Sequence, residues 1–265
     1  MKYLVFGDVH ANLDALDVVL EEGRRRGVEA CLFTGDLVGY GPSPLECIAR
    51  LRELDAGGQL AWVAGNHDRV ARGEIKPKDY STEAIETLAW TGQLLAREPW
   101  AREFLKSGPL SVDVNKGILL THDSLVAPGS AEYHRRPKDG EVELACLRYK
   151  AGRVCFYGHT HEMRAEVVRV EAGMVLVPMF GHEGDGKDPT PLRLGAQDIA
   201  WVGVGSVGFP TNPGRRAEFL VFDDENWVIE KYAVAYPREA ARERLQTVLG
   251  PVCSAEVVAQ IARWL

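Results

Sequence analysis

Tyr3-Leu4-Val5-Phe6-Gly7-Asp8-Val9-His10-Ala11-Asn12-Leu13 sets the reading of the chain. The apolar run Tyr3 to Phe6 has the length of a buried strand. Asp8 and His10 follow it directly. Asn12 then stands where a helix cap belongs, because its side-chain oxygen can accept an N–H from the first turn. The helix it starts carries Leu13, Leu16, Val19 and Leu20 at helical spacing, until Gly23 and Gly27 end it. Strand, polar loop and amphipathic helix in that order make the unit from which a sheet flanked by helices is assembled.

The unit recurs along the chain. Ala30 to Thr34 reads as the next strand, and a loop from Gly35 to Pro42 leads into Ser43-Pro44-Leu45-Glu46. There Ser43 and Glu46 have capping-box spacing, and Leu45, Ile48 and Leu51 give the helix an apolar face. Leu60 to Ala64, Gly117 to Thr121 and Arg153 to Tyr157 are three further strands. Val175 to Pro178, Trp201 to Val204, Ala217 to Phe222 and Trp227 to Val234 cluster β-branched and aromatic residues between turns, which predicts a second, largely antiparallel sheet. From Arg238 onward the pattern is helical. The Gly/Pro/Asp-rich stretch from Gly181 to Pro191 reads as a surface loop, so one domain over residues 1–265 is expected.

Composition narrows the function classes. Hydrophobic residues make up 46% of the 265, enough for a packed interior. A formal charge of -7 disfavours broad attraction to nucleic acid or an anionic membrane surface, so any anionic substrate must be attracted locally. The five cysteines are scattered without a CxxC spacing, which predicts reduced thiols and not a zinc knuckle. No secretory layout or long apolar run is present, and a cytoplasmic location is expected.

The residues with metal-binding chemistry fall at strand ends. Asp8 and His10 follow the first strand, Asp36 the second, Asn66 and His67 the third, His122 the fourth, and His159 and His161 the fifth. In an α/β sheet such positions converge on one crevice. Residues two apart in extended chain also point the same way, so Asp8/His10 and His159/His161 can each aim a pair of donors at a common centre. Mixed oxygen and imidazole donors suit Mn, Fe, Zn or Ni. Four histidines, two aspartates and one asparagine exceed the need of one ion and match two ions sharing a carboxylate, for which Asp36, alone on its strand end, is the natural bridge.

In order, Asp8-Val9-His10, Gly35-Asp36, Gly65-Asn66-His67-Asp68, His122 and Gly158-His159-Thr160-His161 resemble the motifs of calcineurin-like metallophosphoesterases. The bacterial single-domain branch is the nearest pattern, and the resemblance runs to about residue 222. It implies a four-layer αββα sandwich with two mixed β-sheets. Asp8, His10 and His161 would hold one divalent ion and Asn66, His122 and His159 the other, with Asp36 bridging. Mn is the expected metal, with Fe, Ni, Zn or Mg as alternatives. The substrate would be a small phosphate ester attacked by a water between the ions. His67, next to Asn66, would point at substrate to stabilise the reacting phosphorus or protonate the leaving oxygen. Asn66 and Asn12 are also candidate substrate contacts, although helix capping accounts for Asn12 equally.

Departures from the pattern bear on substrate. Protein Ser/Thr phosphatases of this superfamily carry an Asp and an Arg after Gly-Asp, whereas this chain has Gly35-Asp36-Leu37-Val38-Gly39-Tyr40-Gly41. The phosphate-gripping arginine and the partner of the catalytic histidine are absent there, which favours a diester over a dianionic monoester. After His122 stands Asp123-Ser124, where Gly is common. The alternatives are a phosphomonoesterase, including phosphoprotein, nucleotide or dinucleoside polyphosphate hydrolysis, and a non-catalytic protein-binding scaffold of the same fold. His134, Arg135 and Arg136 read as a solvated basic loop, and His182, Asp185 and Asp188 as solvent-facing.

Overall fold

The computed structural model describes residues 1–115, 117–130, 137–169, 173–177 and 191–265. In chain order the elements are β1 (Lys2–Phe6), α1 (Leu13–Arg25), β2 (Ala30–Phe33), α2 (Pro44–Ala56), β3 (Leu60–Trp62), α3 (Asn66–Ala71), α4 (Thr82–Arg97) and α5 (Pro99–Ser107). Then come β4 (Ser111–Asn115), β5 (Ile118–Thr121), α6 (Pro137–Tyr149), β6 (Val154–Tyr157), β7 (Met163–Arg169) and β8 (Gly173–Val177). The last elements are β9 (Leu192–Arg193), β10 (Ile199–Val204), β11 (Ala217–Asp223), β12 (Val228–Val234), α7 (Arg238–Leu249) and α8 (Ala255–Ala262).

Two six-stranded sheets result, in the orders β3-β2-β1-β11-β12-β9 and β4-β5-β6-β10-β7-β8. Both are mixed. In the first, β1, β2 and β3 are parallel while β11 runs antiparallel beside β1. In the second, β5, β6 and β10 are parallel and β7 is antiparallel to β10. The expected fold class is therefore found, but the expected grouping of late strands into a separate antiparallel sheet is corrected. β11 and β12 complete the first sheet, and β10 joins the second. Apolar runs carry no information about which early strand a late one will pair with, since that choice is made by long-range packing.

Strand alternation produces the layers. Tyr3 and Val5 face the interior between the sheets with Leu32, Phe156, Val202, Leu220 and Phe222. Leu4 and Phe6 face the other way, into a core with Leu16 and Val19 of α1, Ile48 and Leu51 of α2, and Leu245 of α7. The outer face of the second sheet places Leu119, Tyr157 and Trp201 against Leu144 and Leu147 of α6. Helix, sheet, sheet, helix is the resulting order, and each strand in the middle buries both faces.

Local signals account for the helix starts in part. Asn12 Oδ1 accepts from Ala15 N at 3.1 Å, the cap read from sequence. Ser43 is at the cap position of α2 with Pro44 behind it, but its hydroxyl makes no capping bond, so the expected capping box does not form there. The candidate residues His134, Arg135, Arg136, His182, Asp185 and Asp188 lie outside the described residues.

Candidate metal centre

All of the candidate ligands meet at one end of the two sheets. His10 Nε2 lies 2.9 Å from His161 Nε2, and Asp8 Oδ1 is 3.3 Å from the latter. Across the cluster, His122 Nε2 is 2.9 Å from Asn66 Oδ1 and 3.3 Å from Asp36 Oδ2. Asp36 Oδ2 is also 3.9 Å from His10 Nε2, so this carboxylate stands between the two groups. Donor atoms of Asp8, His10 and His161 lie within 4.8 Å of one another, as do those of Asp36, His122 and His159.

The way the side chains converge differs from the period-two argument. Asp8, His10, Asp36, His159 and His161 all have φ between 48° and 64°. They lie past the strand ends in left-handed turns, which non-glycine residues adopt at a cost that surrounding structure must cover. Cross-loop bonds cover it: Asp8 N donates to Gly35 O at 2.9 Å, His10 N to Asp36 O at 3.0 Å and Ala11 N to Leu37 O at 2.8 Å. His159 N donates to Asp8 Oδ1 at 3.0 Å. Turns, not extended backbone, therefore aim these donors. Likewise Asn66 and His67 diverge because they open α3, where successive side chains point about 100° apart, and not because they alternate along a strand.

Asp68 is a residue whose part was not read from sequence, although it ends the Gly65-Asn66-His67-Asp68 motif. Its buried carboxylate accepts four backbone N–H groups, from Asp36 at 3.0 Å, Leu37 at 2.9 Å, Val38 at 3.1 Å and Gly65 at 2.9 Å. One side chain thus fixes the loop that presents Asp36 and the turn that presents Asn66. Burial and the neighbouring Asp36 push the Asp68 carboxyl up to about 7, against the pull of those N–H groups. Two glycines make space for the cluster. A Cβ on Gly65 would sit 2.1 Å from Asp36 Oδ1, and one on Gly158 would sit 2.5 Å from Asp8 Oδ2.

The donor chemistry fits cations. His10 Nδ1 faces Val38 O at 3.3 Å and His161 Nδ1 faces Phe209 O at 3.0 Å. A carbonyl only accepts, so both Nδ1 atoms carry the hydrogen and both Nε2 atoms present lone pairs to each other at 2.9 Å. His122 repeats the arrangement, with Nδ1 on Thr34 O at 2.8 Å and Nε2 against Asn66 Oδ1, while Asn66 Nδ2 donates to the Tyr80 hydroxyl. Facing lone pairs repel unless a positive charge lies between them. A metal ion supplies it, and without one a proton must. Burial pulls His122 down, but Asp36 outweighs it and the imidazole is held up to about 10. Burial likewise opposes and Asp8 outweighs at His161, which is raised, whereas burial holds His10 well below the ordinary imidazole range. Burial would raise Asp36, yet His122 and His67 keep it well below the carboxylate range.

Beside the cluster lies a cleft of about 180 Å³ lined by Asp36, Tyr40, His67, His159, Thr160, His161, Phe209, Thr211 and Trp264. His67 is buried, and its Nδ1 has no hydrogen-bond partner among the described residues. It packs over Gly39, where a Cβ would stand 2.3 Å away. The missing partner noted in the Gly35–Gly41 stretch is thus missing in space as well. Burial lowers the His67 pKa, with Asp36 opposing. Asn12 is placed differently from a substrate ligand: Oδ1 caps α1 and Nδ2 donates to Gly208 O at 3.2 Å, so the amide faces protein at both ends. Asp123 Oδ1 accepts from Ser124 N at 2.7 Å and Gly129 N at 2.9 Å, turning toward its own loop.

Residues 1–163 match the family described as calcineurin-like phosphoesterase. The chain belongs to that family. The chain is also similar to an uncharacterised protein of Methanocaldococcus jannaschii, 29% identical over 244 residues, covering 91% of this chain and 90% of that one. Phosphodiesterase YfcE of Escherichia coli K12 is 25% identical over 186 residues, 69% of this chain and 83% of the enzyme. Among solved structures, a metallophosphoesterase from Sphaerobacter thermophilus superposes with a TM-score of 0.76 at 24% identity, covering 100% of this chain and 99% of that one. At that identity the superposition speaks for the calcineurin-like fold. Among the described residues, no helix is long and apolar enough to cross a membrane.

Proposed function

We propose that this phosphoesterase is a dinuclear metal-dependent hydrolase of small phosphate esters, and of diesters in preference to monoesters. The reading rests on one observation above others: buried lone pairs from distant loops point at each other, at 2.9 Å for His10 and His161 and at 2.9 Å for His122 and Asn66. Asp8, His10 and His161 would hold one divalent ion, and Asn66, His122 and His159 the other, with Asp36 shared. Mn suits this oxygen and imidazole set, as do Fe, Zn, Ni and Mg. Such ions, when bound, supply Lewis acidity at the phosphoryl oxygens and acidify water.

The remaining work falls to the chain itself. Asp8 and Asp36 are the only carboxylates among the proposed ligands, so two divalent ions leave the site net positive and able to draw an anionic ester to an acidic protein. His67 lines the cleft with Nδ1 buried over Gly39, and as a neutral imidazole it can donate an N–H to the reacting phosphoryl group or the leaving oxygen. Asn66 Oδ1 belongs to the ligand set, and its Nδ2 is oriented by Tyr80. The cleft is lined by no Arg or Lys among the described residues, which fits the single negative charge of a diester better than a dianionic monoester. The relative named a phosphodiesterase agrees with that choice.

Hydrolysis of bis(p-nitrophenyl) phosphate and p-nitrophenyl phosphate with added Mn, before and after chelation, tests the reading. Chelator-sensitive turnover favouring the diester is expected. A monoester preference overturns the substrate choice, and turnover indifferent to chelation overturns the metal mechanism. Absence of any turnover in metal-replete protein favours the scaffold alternative.

A further inference from the structure

The family match ends at residue 163, yet the cleft is closed by residues well beyond it. Tyr40, Phe209 and Trp264 form one stack: the first two rings are 4.6 Å apart at 18°, and the second two 4.8 Å apart at 24°. Arg215 also lies over the Trp264 ring, its guanidinium carbon 4.1 Å from the centroid. An indole packed against both an aromatic ring and a guanidinium is held in place, so it acts as a wall. The wall is anchored. Leu265 is buried in the helix-side core, Arg242 Nε donates to Ala262 O at 3.1 Å, and Arg238 Nε donates to Leu265 O.

Thr211 lines both this cleft and a second cavity of about 480 Å³, bordered by Arg164, Asn212, Arg216, Glu218 and Lys231. The Thr211 hydroxyl donates to His161 O at 3.0 Å, tying the boundary between the two spaces to a proposed ligand loop. Asn212 holds the next turn, with Nδ2 donating to Arg216 O at 2.8 Å and Oδ1 accepting from Arg216 N at 3.0 Å. The metal cleft, at about 180 Å³, is smaller than the adjoining cavity, which has room for an ester arm.

We infer that Trp264 is a specificity-determining residue, whose indole closes one side of the metal cleft so that the second arm of a diester must leave over Thr211 into the polar cavity beyond. The inference rests on the hydrolase reading above. Two diesters with the same leaving group test it: methyl p-nitrophenyl phosphate, with a small arm, and thymidine 5′-(p-nitrophenyl phosphate), with a large one. Trp264→Ala opens a second route and is expected to raise the large-to-small ratio of kcat/KM about tenfold. Thr211→Trp, at an exposed position, plugs the exit and is expected to lower that ratio by about the same factor. Calorimetric affinities of the Mn-loaded protein for methyl phosphate and thymidine 5′-phosphate give the same ratio without turnover. Ratios unmoved in Thr211→Trp, or unmoved or lowered in a folded Trp264→Ala, overturn the inference. A shifted binding ratio without hydrolysis sustains it and counts against the hydrolase reading alone.

Discussion

Replacing Asp68 by alanine tests whether one buried carboxylate holds the site together. The change leaves the N–H groups of Asp36, Leu37, Val38 and Gly65 without their acceptor. A buried polar group left unmet costs about 1–3 kcal/mol, so a simple sum runs from about 4 to 12 kcal/mol. Two effects favour the lower end. Water can enter the emptied volume, and removal of Asp68 relieves the burial and Asp36 repulsion that push its carboxyl up to about 7. A loss of about 4 kcal/mol is therefore expected, a large part of the about 5–15 kcal/mol that keeps a typical protein folded. Asp68→Asn keeps the acceptor used by Leu37 and Val38 but turns an amide NH2 toward the N–H of Asp36 or Gly65, and is expected to lose about half as much. Urea unfolding with chelator present isolates this effect from metal binding, and calorimetry with Mn then reports a loosened Asp36 as an affinity loss of about 10–100-fold. Should Asp68→Ala lose under about 1 kcal/mol and bind Mn normally, the clamp assigned to this residue does not exist.

Other substitutions separate the roles in the site. His67→Ala is expected to retain metal by elemental analysis while kcat falls about 10²–10⁴-fold, whereas Asp36→Ala loses both metal and turnover; full activity in the first variant contradicts the role given to His67. Gly65→Ala drives a methyl into Asp36, with 2.1 Å to Oδ1, and is expected to weaken Mn binding at least about tenfold while far-ultraviolet circular dichroism keeps its native form. Glu218, which is not one of the proposed ligands, supplies a pH test. Burial pushes its carboxyl from 4.5 up to about 7, so the native state gains stability from its proton at low pH and loses that contribution as pH rises through 7. Glu218→Gln should therefore unfold at higher urea than the parent at pH 8, by up to about 3 kcal/mol, with little difference at pH 4.5; equal gains at both pH values refute the charge argument.

The five strands that precede the donor residues, and the helices after Asn12 and Ser43, were legible in the sequence because short-range patterns specify such elements, whereas β4 and α3 to α6 were not read there. Asp36 between the two donor groups follows from residue type and local position, whereas the absent partner of His67 was read from the family resemblance and Asn12 was left open between cap and substrate contact. Three things were decided only in the folded chain. β11 and β12 joined the first sheet because strand partners are chosen by packing across the whole chain, which local composition does not encode. The proposed ligands were aimed by left-handed turns at Asp8, His10, Asp36, His159 and His161, strained conformations that bonds from neighbouring loops hold in place. The cleft wall joins Tyr40, Phe209 and Trp264, aromatic residues more than 50 positions apart at each step, which nothing short of tertiary contact could bring into one stack.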